Sequence, residues 1–239
     1  MNTTFLETFS KHSSALTGRF GLAVRCAKWL LIVGLSSAVA TTDFGRMESL
    51  AQQRYGTNAA NTVAEWRQLI TDISPLNEMQ KLQKVNDFFN TRVAFVDDIY
   101  NWKESDYWAT PLETMGVAKG DCEDYSIAKY TTLQLVGVPI EKLRMTYVKA
   151  KIGGRNSTVS QAHMIVSYYP QPNAEPLLLD NLIPDIRPAS RRRDLTPVFS
   201  FNSAGIWVGG ATQASSNNPG AKLSRWRDLI ARMQNEGLQ

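Results

Sequence analysis

Cysteine and histidine are scarce: the 239 residues contain two of each. Cys26 and His12 fall in the first 40 residues, so beyond them the chain keeps one cysteine, Cys122, and one histidine, His163. A single thiol cannot close an internal disulfide, which excludes a disulfide-stapled scaffold. One Cys and one His are also too few for a zinc site of the usual Cys/His kind. No apolar run approaches the ~20 residues that a membrane-spanning helix needs. Low-complexity tracts and internal repeats are missing too. A strong charge of one sign is likewise lacking. The formal net charge is +4, but the first 40 residues supply Lys11, Arg19, Arg25 and Lys28 against Glu7 alone. Residues 41–239 then hold 22 basic and 21 acidic residues. That near balance removes the signature of nucleic-acid binding.

What is present begins with a leader. Arg25 and Lys28 precede an apolar run from Trp29 to Leu35, which tapers into Ser36-Ser37-Ala38-Val39-Ala40. Ala38-Val39-Ala40 has the form of an A-x-A cleavage site, so residues 1–40 are expected to be a signal peptide of an exported protein with no stable membrane span. The alternative is a buried helix or an uncleaved anchor. Export sharpens the cysteine argument, because a free thiol in an oxidising compartment is a liability unless something uses it.

Periodicity predicts an α+β fold. Leu50, Tyr55, Val63, Trp66 and Ile70 suit a helix over Met47–Thr71, weakened at Gly56. Ser74-Pro75 reads as the cap of a second helix carrying Leu76, Met79, Leu82, Val85, Phe88 and Phe89. Residues 91–120 read as irregular and aromatic. A helix is expected over Cys122–Val136, stopped by Gly137. Strand-like runs follow at 144–151, 162–169 and 177–180, with shorter ones at 199–201 and 206–208. The expected domain is 41–210. Residues 211–239 form a linker and an amphipathic terminal helix with Leu223, Trp226, Leu229, Ile230 and Met233 on one face.

Three features carry chemistry. Asp121 caps the helix that starts at Cys122, which puts the thiol where unpaired N–H groups and the macrodipole favour a thiolate. His163 and Asp180 flank a Pro-rich turn, and an antiparallel hairpin centred on Gln171-Pro172 sets them opposite each other. Asp180 would then hold the imidazole while its other nitrogen faces Cys122, as a nucleophilic thiol requires. Against this, Asp121, Glu123 and Asp124 crowd the thiol with carboxylates, which disfavour a thiolate. Two readings of these acids stand: a solvated helix start, or a hard cation such as Ca²⁺ offsetting all three.

The blocks Trp108-Ala109-Thr110-Pro111-Leu112-Glu113-Thr114, Gly120-Asp121-Cys122-Glu123-Asp124-Tyr125, Ala162-His163-Met164 and Leu179-Asp180-Asn181 resemble the bacterial transglutaminase-like cysteine peptidases. The likeness runs over about residues 45–210. It implies a papain-like, transglutaminase-type core with Cys122, His163 and Asp180 as the catalytic triad and Asp121, Glu123 and Asp124 as calcium ligands. In the periplasmic branch of that family, the substrate is the N-terminal region of a large surface adhesin. A cyclic di-GMP receptor of the inner membrane sequesters the enzyme through its periplasmic domain, and biofilm dispersal follows release. The same triad also suits a transglutaminase that passes the acyl group to an amine. A third possibility is a non-catalytic binding module on the same fold.

Overall fold

The computed structural model describes residues 42–153 and 157–238, and the expected leader lies outside them. Two helices stand where periodicity predicted one. α1 (Phe44–Tyr55) and α2 (Thr57–Ile73) are separated by Gly56 at φ +89°, a conformation that side chains with a Cβ rarely adopt. The next helix, α3 (Glu78–Arg92), begins later than Ser74-Pro75 suggested. Ser74 ends α2 instead, and Asn77 with Gln80 forms the capping box that starts α3.

The supposedly irregular stretch is built from short elements. They are β1 (Ala94–Phe95), α4 (Asp98–Asn101), α5 (Pro111–Val117) and β2 (Lys119–Gly120), with β1 and β2 paired in parallel. Each is too short to show a period, and of the two helices only α5 carries a side-chain cap, from Thr110 with Glu113. Then comes α6 (Cys122–Leu135), buried from Asp124 to Leu133.

The remaining strands are β3 (Leu143–Lys151), β4 (Ser160–Tyr168), β5 (Leu177–Leu179), β6 (Arg187–Pro188), β7 (Leu195–Phe201) and β8 (Ile206–Val208). They form an antiparallel sheet in the order β6-β5-β4-β3-β7-β8. On one face, Met145, Met164, Val166, Leu179 and Phe201 join a core with Tyr125, Ala128 and Leu133 of α6. Met47, Val63, Trp66, Leu82 and Phe89 of α1–α3 close that core from behind. A smaller cluster of Val148, Ile165 and Leu178 lies apart from this core, covered by Ala189 and Leu195. The fold class is therefore α+β, with the expected helix-on-sheet arrangement.

After α7 (Pro219–Lys222), the terminal helix α8 (Ser224–Glu236) docks on the same core. Trp226 meets Tyr130 edge-on at 5.9 Å and Phe201 at 5.6 Å. Among the described residues no helix is long and apolar enough to cross a membrane.

Trp226 is 3% exposed, so its removal should leave a cavity between α6 and the sheet. Trp226→Ala is expected to cost about 3–5 kcal/mol in urea unfolding followed by circular dichroism. An unchanged midpoint would mean that α8 is not part of the cooperative core.

Candidate active site

The helix start at Cys122 is over-determined. Asp121 Oδ1 accepts the Glu123 N–H at 3.2 Å, and Asp124 Oδ2 accepts the Asp121 N–H at 3.3 Å. Asp124 is fully buried, and its other oxygen accepts the Ala109 N–H at 2.8 Å. Gly120 makes room for this carboxylate, since a Cβ there would lie 2.7 Å from Asp124 Cβ and Oδ2.

The block from Trp108 to Glu113 holds Ala109 in place. Trp108 stacks on Phe201 with centroids 5.9 Å apart. Thr110 caps α5 by accepting the Glu113 N–H at 3.1 Å, and Glu113 accepts the Thr110 N–H at 2.8 Å in return. From α8, Arg232 donates to Glu113 Oε2 and to the Trp108 carbonyl, each at 2.6 Å. The terminal helix thus clamps the loop that supports the thiol.

Around Cys122 the electrostatics are adverse. Sγ donates to Glu123 Oε2 at 2.7 Å. Burial, then the charges of Glu123 and Asp121, push the thiol pKa far up, against a backbone hydrogen bond from Met164. Burial and mutual repulsion also raise the acids, Asp121 to about 9 and Asp124 to about 8. A fourth carboxylate joins them that sequence reading missed. Asp98, at the start of α4, is raised to about 6 by burial and by Glu123, Asp106 and Asp97, against the Tyr107 N–H that it accepts.

The donors form two overlapping groups. Asp121, Cys122 and Glu123 make one, and Asp98, Asp121 and Asp124 make the other, each with its ligand atoms within 4.8 Å of one another. Asp98 Oδ1 is buried without a hydrogen bond, an orphan that a cation would satisfy. The set is rich in carboxylate oxygen, which suits Ca²⁺. Only chain proximity to Cys122 was visible in sequence, so Asp98 carried no signal.

His163 and Asp180 are directly joined: Nε2 lies 2.8 Å from Asp180 Oδ1, with both residues 2% exposed. Their register differs from the expected one. Val166 pairs with Leu179 and Tyr168 with Leu177, so Asp180 lies just past the end of β5 and two positions out of line with His163. A slip of two preserves the face, because strand side chains alternate with period two. With β5 so short, the outer edge of β4 before Val166 has no β5 partner. It is at Met164, next to His163, that the backbone reaches the Cys122 sulfur. Among the described residues the thiol makes no hydrogen bond to His163 itself; Glu123 takes it instead.

Other side chains hold Asp180 from all sides. Oδ1 also accepts the Leu182 N–H at 3.0 Å, and Oδ2 lies 2.8 Å from Arg192 Nη2. Its carbonyl accepts from Asn90 at 2.9 Å and from the buried Lys129 at 3.1 Å. Burial alone would raise the Asp180 pKa. The His163 hydrogen bond and charge, the Leu182 N–H and Arg192 outweigh burial and hold it at about 2.

Two predictions follow from these contacts. Gly120→Ala should displace Asp124 and undo the cap, lowering stability by about 1–2 kcal/mol in thermal unfolding; an unchanged transition would show that the cap is dispensable. Asp180, with its depressed pKa, contributes stability that is present above the unfolded carboxylate value near 4 and is lost as pH falls through about 2. Between those values the wild type should lose on the order of 2 kcal/mol that Asp180→Asn does not lose, read as the difference between their urea-unfolding curves. Parallel curves would contradict the assigned charge state.

Known proteins agree with this architecture. Residues 53–193 match the family profile of the bacterial transglutaminase-like cysteine proteinases. The structure is similar to that of Legionella pneumophila LapG, at 37% identity and a TM-score of 0.67, covering 80% of this chain and 97% of that one. The calcium-bound form of that protein is 38% identical with a TM-score of 0.68 over 80% and 99% of the two chains. Its EGTA-treated form gives 37% and 0.69 over 80% and 97%. No curated protein sequence matches the chain. With more than half of its length matched, the chain belongs to the bacterial transglutaminase-like cysteine proteinases.

Proposed function

We propose that this proteinase is a calcium-dependent periplasmic endopeptidase that cuts the N-terminal region of a large surface adhesin and so promotes biofilm dispersal. The observation that carries the catalytic part is the meeting of Cys122, at the N-terminus of a buried helix, with the strand edge that bears the His163–Asp180 pair. The substrate, and a cyclic di-GMP receptor whose periplasmic domain holds the enzyme, rest on the sequence resemblance and on the likeness to LapG.

The residues divide the work as follows. His163 Nε2 is committed to Asp180, which leaves Nδ1 to take the Cys122 proton. The sulfur attacks the peptide carbonyl, and the backbone N–H of Cys122 in the first turn of α6 is placed to receive the oxyanion. His163 then protonates the leaving amine, and water hydrolyses the thioester. Asp180 stays ionised throughout and fixes the imidazole. Asp121, Glu123, Asp124 and Asp98 would hold calcium, whose charge offsets their repulsion of a thiolate.

The test is incubation of the chain with the N-terminal region of a co-encoded adhesin. Cleavage should occur with calcium and stop in EGTA or in Cys122→Ala. In parallel, alkylation of Cys122 by iodoacetamide should accelerate on calcium addition, by about tenfold for each unit that the thiol pKa falls. Full proteolysis by Cys122→Ala would end the catalytic reading. Alkylation that ignores calcium would end the metal reading, and incorporation of a labelled amine in place of cleavage would make the enzyme a transglutaminase.

A further inference from the structure

We propose that a cationic cavity on the Asp180 side of the site receives an acidic stretch of the peptide substrate; this rests on the peptidase reading above. The cavity measures about 770 Å³ and is lined by Lys151, Arg187, Arg191, Arg192, Arg193 and Asp194. Five cations face one carboxylate in a domain whose charges otherwise nearly cancel.

Two residues that line the cavity, Arg192 and Leu182, also contact Asp180. Arg192, with its side chain only 1% exposed, sits 2.8 Å from Asp180 Oδ2 and 2.8 Å from Asp194 Oδ2. Leu182, whose N–H binds Asp180, also lines the cavity. With Arg192 anchored inward, its neighbours Arg191 and Arg193 are exposed. Arg187 pairs with Asp185, whereas Lys151, Arg191 and Arg193 have no ion pair among the described residues. Arg192 Nη1 is buried and has no hydrogen bond. Asp180 and Asp194 already answer the charge of Arg192, so the unbalanced charge of the cavity is that of Lys151, Arg191 and Arg193, with one buried guanidinium nitrogen still lacking an acceptor.

The other end of the site excludes that charge. Asp98, Asp121, Glu123 and Asp124 cluster around Cys122, and four carboxylates outnumber the charge of one calcium ion, so an acidic segment is repelled there and attracted toward Arg191 and Arg193. This polarity would orient a peptide across the thiol. Carboxylates from several successive residues match cations spread along residues 187–193 and the end of β3.

Binding can be read without turnover. Fluorescein-labelled hexaglutamate, hexaglutamine and hexalysine are titrated into the full chain carrying Cys122→Ala, followed by anisotropy at about 20 mM and about 300 mM NaCl. Hexaglutamate should bind, the other two should not, and the higher salt should weaken binding by about tenfold or more. The double changes Arg191→Glu/Arg193→Glu and Arg191→Ala/Arg193→Ala should both lose it. Lys84→Glu, a charge reversal on α3, should keep it. Equal binding of the three peptides, insensitivity to salt, survival in both arginine variants, or displacement by equimolar inorganic phosphate as effective as by unlabelled hexaglutamate would overturn the proposal. Since Cys122→Ala cannot turn over, failure here leaves the peptidase reading intact, and failure of adhesin cleavage leaves this binding site intact.

Discussion

Carboxylates buried beside a thiol repel it and one another, and that repulsion sets the terms for the whole site. Four acids share the space around Cys122, and three of them are pushed well above the ordinary carboxylate range. Backbone donors answer part of this charge: the first turn of α6, and the Ala109 and Tyr107 N–H groups. Asp98 Oδ1 stays unanswered. Asp180, itself buried, sits at the opposite extreme because a histidine, an arginine and an amide surround it. One acid is thus held ionised at any ordinary pH, while Asp121 and Asp124 stay so at neutral pH only when positive charge is brought to them. The first suits a group that orients an imidazole. The second suits a site whose competence depends on a cation.

Much of this was legible in the chain. The scarcity of Cys and His isolated Cys122 and His163, and the Gly120-Asp121 pair marked the start of α6. Asp121 does cap that helix, and the three acids do crowd the sulfur. Five strands of the sheet, β3, β4, β5, β7 and β8, overlap the runs that predicted them, whereas the two-residue β6 had no such run. Failures came where local signals compete. Ser74-Pro75 looks like a cap, yet Asn77 and Gln80 supply both halves of a reciprocal one, which wins. The hairpin register was misplaced by two because the turn between β4 and β5 is centred one residue later than the prolines suggest. Asp98, Asn90, Lys129 and Arg192 gave no signal at all. Each acts through contacts distant in the chain, such as Lys129 on the Asp180 carbonyl, and single-chain spacing does not encode those.

Lys129 shows how three separate elements come to share one geometry. It lies two helical turns below Cys122 on α6, fully buried, with its pKa pulled down to about 7 by burial against the attraction of Asp180 and Asp87. Burying an amine is unfavourable, and an apolar residue would fill the space more cheaply. What the amine provides is a donor aimed at two acceptors: Asn86 Oδ1 on α3 and the carbonyl of Asp180. The ladder ends at Leu179, so Asp180 has no sheet bond to fix it, and Lys129 with Asn90 replaces that bond. The helix that begins at Cys122 therefore also sets where the Asp180 carboxylate stands. Helix, strand edge and loop are thus tied through hydrogen bonds from α6 and α3 to the backbone of Asp180.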